Sequence, residues 1–176
     1  MEERRGETRM KVWRESTMAS DLLLRDVIED DLPVFFEQQL DSDANYMAAF
    51  TAKNPADRDA FTSHWNKILG DHTTTNKTIL FAGQVVGHIA RFERLGKPEV
   101  SYWIGKEYWG RGLATKALAE FLSQVKERPV YARAAKDNTA SIRVLEKCGF
   151  KISGEDKGFS NARGKEVEEF ILELRG

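Results

Sequence analysis

The sequence predicts a mixed α/β fold in one domain, and three observations carry that expectation. Its 176 residues suffice for one substantial core and are short for two. Apolar positions recur with period two in some segments and with period 3.6 in others. The segments follow one another as strand, helices, three strands, helix, strand, helix and two strands, without the regular alternation of a doubly wound sheet.

Each element has its own local signal. DLLLRDV, at 21–27, reads as the first strand. EDDLPVFFEQQL follows, with acids first and Pro33 early, as a helix N-terminus requires. A short helical piece is expected over Tyr46 to Phe50. Beyond it, Phe61, Trp65, Ile68 and Leu69 share one face of a helix beginning after Asn54. KTILFAG and QVVGHIARFERL, joined at Gly83 and Gln84, form a hairpin, and GKP makes a second turn. In EVSYWIG, at 99–105, Val100, Tyr102 and Ile104 alternate with Glu99, Ser101 and Trp103, so both faces of this strand are occupied.

That strand runs into the hexamer GRGLAT at 110–115. After it, Leu113, Ala117, Leu118, Phe121, Leu122 and Val125 fall on one helical face, and Arg128 and Pro129 end the helix. VYARAA is a fifth strand. NTASIRVLEKC is a helix with Asn138 at its N-cap and Gly149 at its C-terminal stop. FKISGED and VEEFILEL close the order as two strands around the polar loop KGFSNARGKE.

Composition narrows the functional classes. A hydrophobic fraction of 41% and a charged fraction of 31% suit a globular protein, and no apolar run approaches the roughly 18 residues that span a bilayer. Twenty-seven basic against 28 acidic residues leave a net charge of -1, so no global field recruits nucleic acid or an anionic membrane. Any anionic ligand must therefore be held locally. The single cysteine, Cys148, forms no internal disulfide and offers no metal-ligand spacing. It reads as a partly buried packing residue in a reducing, cytoplasmic protein without a bound metal. Residues 1–19 mix both charge signs and lack the apolar core of a signal peptide. They read as a flexible N-terminal tail before a single domain at 20–176, with Met18 as an alternative start.

GRGLAT is the most chemically specific stretch. The Gly-Lys pairs at 96, 105 and 164 are not followed by Ser or Thr, which excludes a P-loop. A dinucleotide fingerprint is excluded because Thr115 stands at its third glycine position and no second unit with an acidic ribose partner follows. What remains is a strand, a glycine turn and an amphipathic helix whose free N–H groups at 111–115 converge on one point. Gly110 and Gly112 admit a phosphate without a Cβ in the way, Ala114 keeps the first turn open, Thr115 adds a hydroxyl and Arg111 adds charge.

YWGRGLATKAL, followed about two dozen residues later by NTASIRVLEKCGF, resembles the GNAT superfamily of acyl-CoA-dependent N-acetyltransferases. Within it the likeness is to the branch of the ribosomal-protein N-terminal acetyltransferases RimJ and RimL. The family's pyrophosphate motif, Q/R-x-x-G-x-G/A, is met at Gly112 and Ala114, with Trp109 in the first place; tryptophan there is common in that branch. The resemblance covers roughly residues 20–175. It implies a central, mostly antiparallel sheet of six or seven strands with a splayed parallel pair, flanked by about four helices.

The resemblance also implies site residues. Acetyl-CoA, as co-substrate, is expected against the backbone of Trp103, Ile104 and Gly105. Its pyrophosphate is expected over the turn that runs from Trp109 and Gly110 through Arg111, Gly112, Leu113 and Ala114 to Thr115. Asn138 would contact the cofactor arm and Ser141 would sit near the thiol sulfur. An N-cap and a solvated helical serine are their structural alternatives. The tyrosine acid usual in the family would fall at Leu145, which leaves Ser141 as the proton donor. Glu99 is the first candidate for general base, ahead of His88, and Glu155 and Asp156 are placed near the acceptor. Loops around Asn45–Phe50 and Gly158–Lys165 are expected to shape a cleft for an amine that the residues do not identify. A homodimer is compatible with such a chain, and a CoA-binding module without turnover is the alternative function.

Overall fold

The computed structural model describes residues 21–176, so the expectations for the N-terminal tail and Met18 lie outside the described residues. The chain runs through β1 (Leu22–Asp26), a single 3-10 turn (Glu29–Asp31), α1 (Leu32–Gln39), α2 (Ser42–Ala48) and α3 (Arg58–Leu69). Three strands follow, β2 (Thr75–Phe81), β3 (Gln84–Arg94) and β4 (Lys97–Ile104). After them come a second 3-10 turn (Lys106–Tyr108), α4 (Leu113–Gln124), β5 (Val130–Ala135), α5 (Thr139–Lys147), β6 (Lys151–Ser160) and β7 (Lys165–Leu174).

The element order matches the sequence reading, and the differences are at boundaries. Helix α2 begins at Ser42, upstream of Tyr46, because the Asp41 side chain accepts from Ala44 N at 2.8 Å. Helix α3 begins at Arg58 because Asp57 caps it through Ala60 N at 3.0 Å, while Asn54 is spent on a turn to Ala56 N. Helix α4 ends at Gln124, where Val125 turns extended and Arg128 donates to the Val125 carbonyl at 2.8 Å. Strand pairing between β6 and β7 absorbs most of the expected polar loop, leaving a turn at 161–164.

The seven strands form one sheet in the order β1-β2-β3-β4-β5-β7-β6. All neighbours are antiparallel except β4 and β5, which run parallel and register at one pair, Glu99 with Tyr131. One face packs Val100 and Ile104 of β4 against Leu113, Ala117, Leu118 and Phe121 of α4 and Leu145 of α5. Every residue predicted for the apolar face of α4 is buried. The other face carries a second cluster in which Phe35 and Phe36 of α1 meet Phe61 and Trp65 of α3. Trp103 belongs to that second face: it registers with His88, whose ring lies 4.7 Å from Phe35 and 5.0 Å from Trp65.

Candidate active site

The site begins with what β4 leaves unpaired. Gly105 N donates to Val86 O at 2.8 Å, and the β3–β4 register continues antiparallel from Ile104 back to Lys97. Alternation of an antiparallel ladder then directs the N–H and C=O of Ser101 and Trp103 at β3, and those of Tyr102 and Ile104 at β5. Because β5 registers with β4 only at Glu99, the backbone of Tyr102 and Ile104 faces a gap rather than a partner strand. Trp109 closes one end of this gap, its indole N–H donating to the Ile104 carbonyl at 2.8 Å.

The glycine turn lies directly beyond. Gly110 has φ +76° and Gly112 +73°, values that L side chains adopt at a cost, and a Cβ on either would meet no atom within 4 Å. Gly112 is the N-cap of α4, so the N–H groups of Leu113, Ala114 and Thr115 have no carbonyl within the helix; the first internal acceptor is Gly112 O, taken by Lys116 N. Arg111 is exposed, with its guanidinium 5.7 Å from the Tyr108 ring. An open concave backbone, a helix dipole and an exposed arginine suit a pyrophosphate.

Helix α5 brings the second motif to the same face. Asn138 is its N-cap: its side-chain oxygen accepts from Ser141 N at 3.3 Å, and its amide donates to Met47 O at 3.2 Å. Both ends of that carboxamide are therefore used within the protein. Ser141 Oγ lies 2.7 Å from the Tyr102 hydroxyl. Burial pushes the Tyr102 phenol up to about 12, against which its hydrogen bond with Ser141 acts only in part. Tyr102 thus stays protonated throughout the physiological range and can serve as a permanent donor. The sequence pattern put Tyr102 on one of two occupied strand faces and gave it no role; nothing local signals that this face meets Ser141.

Glu99 requires a correction. It is buried, and its Oε1 accepts from Arg133 Nε at 3.0 Å. Arg133 also donates to Glu169 and Asp156, each at 2.9 Å, and these bonds outweigh burial to raise its pKa. A carboxylate held this way at the one point where β4 and β5 register bridges the parallel pair and is closed to solvent. Asp156 belongs to the same network, and Glu155 pairs with Lys136 at 3.0 Å. His88, wedged among Phe35 and Trp65, has its pKa lowered to about 4 by burial and then by the neighbouring His64. Its imidazole is neutral at pH 7 and weakly basic. Cys148 packs at the edge of the core with Sγ 3.6 Å from Thr115 O, and burial raises its thiol pKa.

The two loops expected to shape an acceptor cleft do meet. Arg163 donates to Tyr46 O at 2.8 Å and pairs with Asp137, Asn161 donates to Thr51 O at 3.3 Å, and Ser160 donates to Ala49 O. Tyr46, Phe50 and Phe159 remain exposed beside them.

A mixed sheet that parts after one parallel pair, next to a glycine turn at a helix N-terminus, defines a domain of the acyl-CoA acetyltransferase type. Residues 21–151 match the family model described as an acetyltransferase (GNAT) domain, and the chain belongs to that family. It is 24% identical over 83 residues to the "Uncharacterized N-acetyltransferase p20" of Bacillus licheniformis, a match that spans 45% of this chain and 47% of the relative. Among solved structures, RimJ of Mycobacterium smegmatis in complex with CoA-disulfide superposes with a TM-score of 0.74 at 22% identity, covering 88% of this chain and 82% of that one. The spermidine N-acetyltransferase of Vibrio cholerae, in complex with CoA and spermine, gives a TM-score of 0.73 at 20% identity, over 88% and 96% of the two chains.

Proposed function

We propose that this chain is an N-acetyltransferase that moves an acetyl group from acetyl-CoA to a primary amine by direct attack on the thioester. The observation that carries the reading is the gap beside β4, where the N–H groups of Tyr102 and Ile104 face no partner strand among the described residues, in line with the open turn at Gly110 and Gly112. Membership of the family and the CoA-bound relatives of the same fold support it. Trp109 before the turn and the fold of RimJ support placement in the RimJ/RimL-like branch.

In this mechanism the N–H groups of residues 111–115 hold the pyrophosphate, with Arg111 adding charge, and the edge of β4 at Tyr102 and Ile104 holds the arm and thioester, since the backbone of Trp103 and the N–H of Gly105 turn toward β3. A backbone N–H of β4 facing the gap holds the oxyanion. The amine nitrogen forms the new C–N bond, the C–S bond breaks with its electron pair going to sulfur, and the proton lost by nitrogen ends on the thiol. Ser141 donates to the departing sulfur, held in aim by Tyr102. Asn138 acts through the helix N-cap, and Glu99 through the Arg133 clamp.

Mixing the protein with acetyl-CoA and a panel of amines, with a thiol reagent present, is expected to release free CoA in an amine-dependent way. CoA binding without release on any amine would instead indicate a binding module without turnover.

A further inference from the structure

Two side chains on the Trp103 face of the sheet carry buried polar atoms without a partner among the described residues. Gln38, 7% exposed at the end of α1, has neither its Oε1 nor its Nε2 hydrogen-bonded, and the indole N–H of Trp103 is likewise buried and unpaired. They share one neighbourhood. The Gln38 carboxamide lies over Gly105, where a Cβ would sit 2.9 Å from Nε2, and Trp103 is two residues back on the same strand face. Buried groups of this kind are nearly always satisfied in native proteins, so an unsatisfied set on one face of the strand calls for a partner from outside the described residues.

The faces of the sheet say which ligand. Tyr102, Ser141 and the helix of the glycine turn lie on one face, whereas Trp103 and Gln38 lie on the other. On the acetyltransferase reading, on which this inference rests, a thioester in the β4–β5 gap has its sulfur beside Ser141, so the amine attacks from the Gln38 side. The free groups there are two kinds of N–H donor and a single acceptor, Gln38 Oε1. An ammonium satisfies the acceptor but not the donors, and a neutral amine must keep its one lone pair for the thioester carbon. We propose that Gln38 and Trp103 bind the acceptor, and that the acceptor is an amine carrying a carbonyl or hydroxyl oxygen next to its nitrogen rather than a polyamine.

The test compares wild type, Gln38→Met and Trp103→Phe on two sets of amines. One set carries oxygen (dipeptides with a free amino group, amino-acid amides, amino sugars) and the other does not (spermidine, diaminopentane, alkylamines). The expected result is a wild-type kcat/KM at least tenfold higher on the best oxygen-bearing amine than on any oxygen-free one. Each variant should lose about tenfold or more on that best substrate and less than threefold on oxygen-free amines. CoA affinity should stay within about twofold, and the melting temperature of Gln38→Met should hold or rise, because two unpaired buried atoms are removed. A wild-type preference for spermidine, an equal loss on both sets, weakened CoA binding or a lower melting temperature in Gln38→Met would overturn the proposal. Failure of wild type to acetylate any amine would remove the acetyltransferase reading itself, so the two failures are distinguishable.

Discussion

The hydroxyl of Tyr102 lies 2.7 Å from Ser141 Oγ, joining β4 to α5 across 39 residues of chain. The family resemblance would put a tyrosine acid at position 145, but Leu145 is there and is buried in the core. The phenol beside Ser141 is supplied from the strand instead. Because burial holds it protonated to about 12, it orients the serine without itself giving up a proton.

Tyr102→Phe is therefore expected to lower kcat by about tenfold, the worth of one positioned hydrogen bond, with the KM for acetyl-CoA nearly unchanged. Ser141→Ala should lower it at least as far, and the double variant should be no worse than Ser141→Ala alone, because the pair acts as one unit. Additive losses in steady-state kinetics would show that the two hydroxyls act separately.

Gly112→Glu should abolish CoA binding in a calorimetric titration. It places a carboxylate at the turn and imposes φ +73° on a residue with a Cβ, at a conformational cost of about 1–2 kcal/mol. Circular dichroism should still report a folded domain, since nothing packs on that position. Unchanged CoA affinity would remove the turn from the cofactor site.

Glu99→Gln separates a clamp from a base. Removing one charge from the Arg133 network at its buried end should cost about 1–3 kcal/mol of stability in urea titration. The acidic limb of the kcat/KM profile should not move. A loss beyond 100-fold in kcat at full stability would restore Glu99 as the base.

His88 makes stability depend on pH. Its folded pKa, about 4, lies below the ordinary value near 6.5, so between those values the unfolded chain binds the extra proton. The contribution is fully present above pH 6.5 and is lost as pH falls toward 4, amounting to on the order of 2 to 3 kcal/mol. Denaturant melts of wild type and His88→Phe at pH 7 and pH 4.5 should show a shallower fall for the variant; parallel curves would exclude this origin.

Phe121→Ala tests the packing that carries the turn. Phe121 is fully buried between α4 and the sheet, and its truncation should cost about 3–5 kcal/mol. CoA binding should weaken with it, because α4 aims the free N–H groups of residues 113–115.

Local sequence alone encodes the elements and the glycine turn. The spacing of Leu113, Ala117, Leu118 and Phe121, the glycines at 110 and 112 and the cap at Asn138 act within one helical turn or one strand period. Local sterics and local hydrogen bonds therefore encode them. Tertiary structure decided the partners. Glu99 reads as a candidate base until parallel pairing sets Arg133 against it, Tyr102 reads only as one position of an alternating strand until α5 lays Ser141 over its hydroxyl, and Gln38 carries no signal until α1 packs it on Gly105. Those meetings depend on strand register and helix docking over 34 to 67 positions of chain, distances at which no residue spacing specifies a contact.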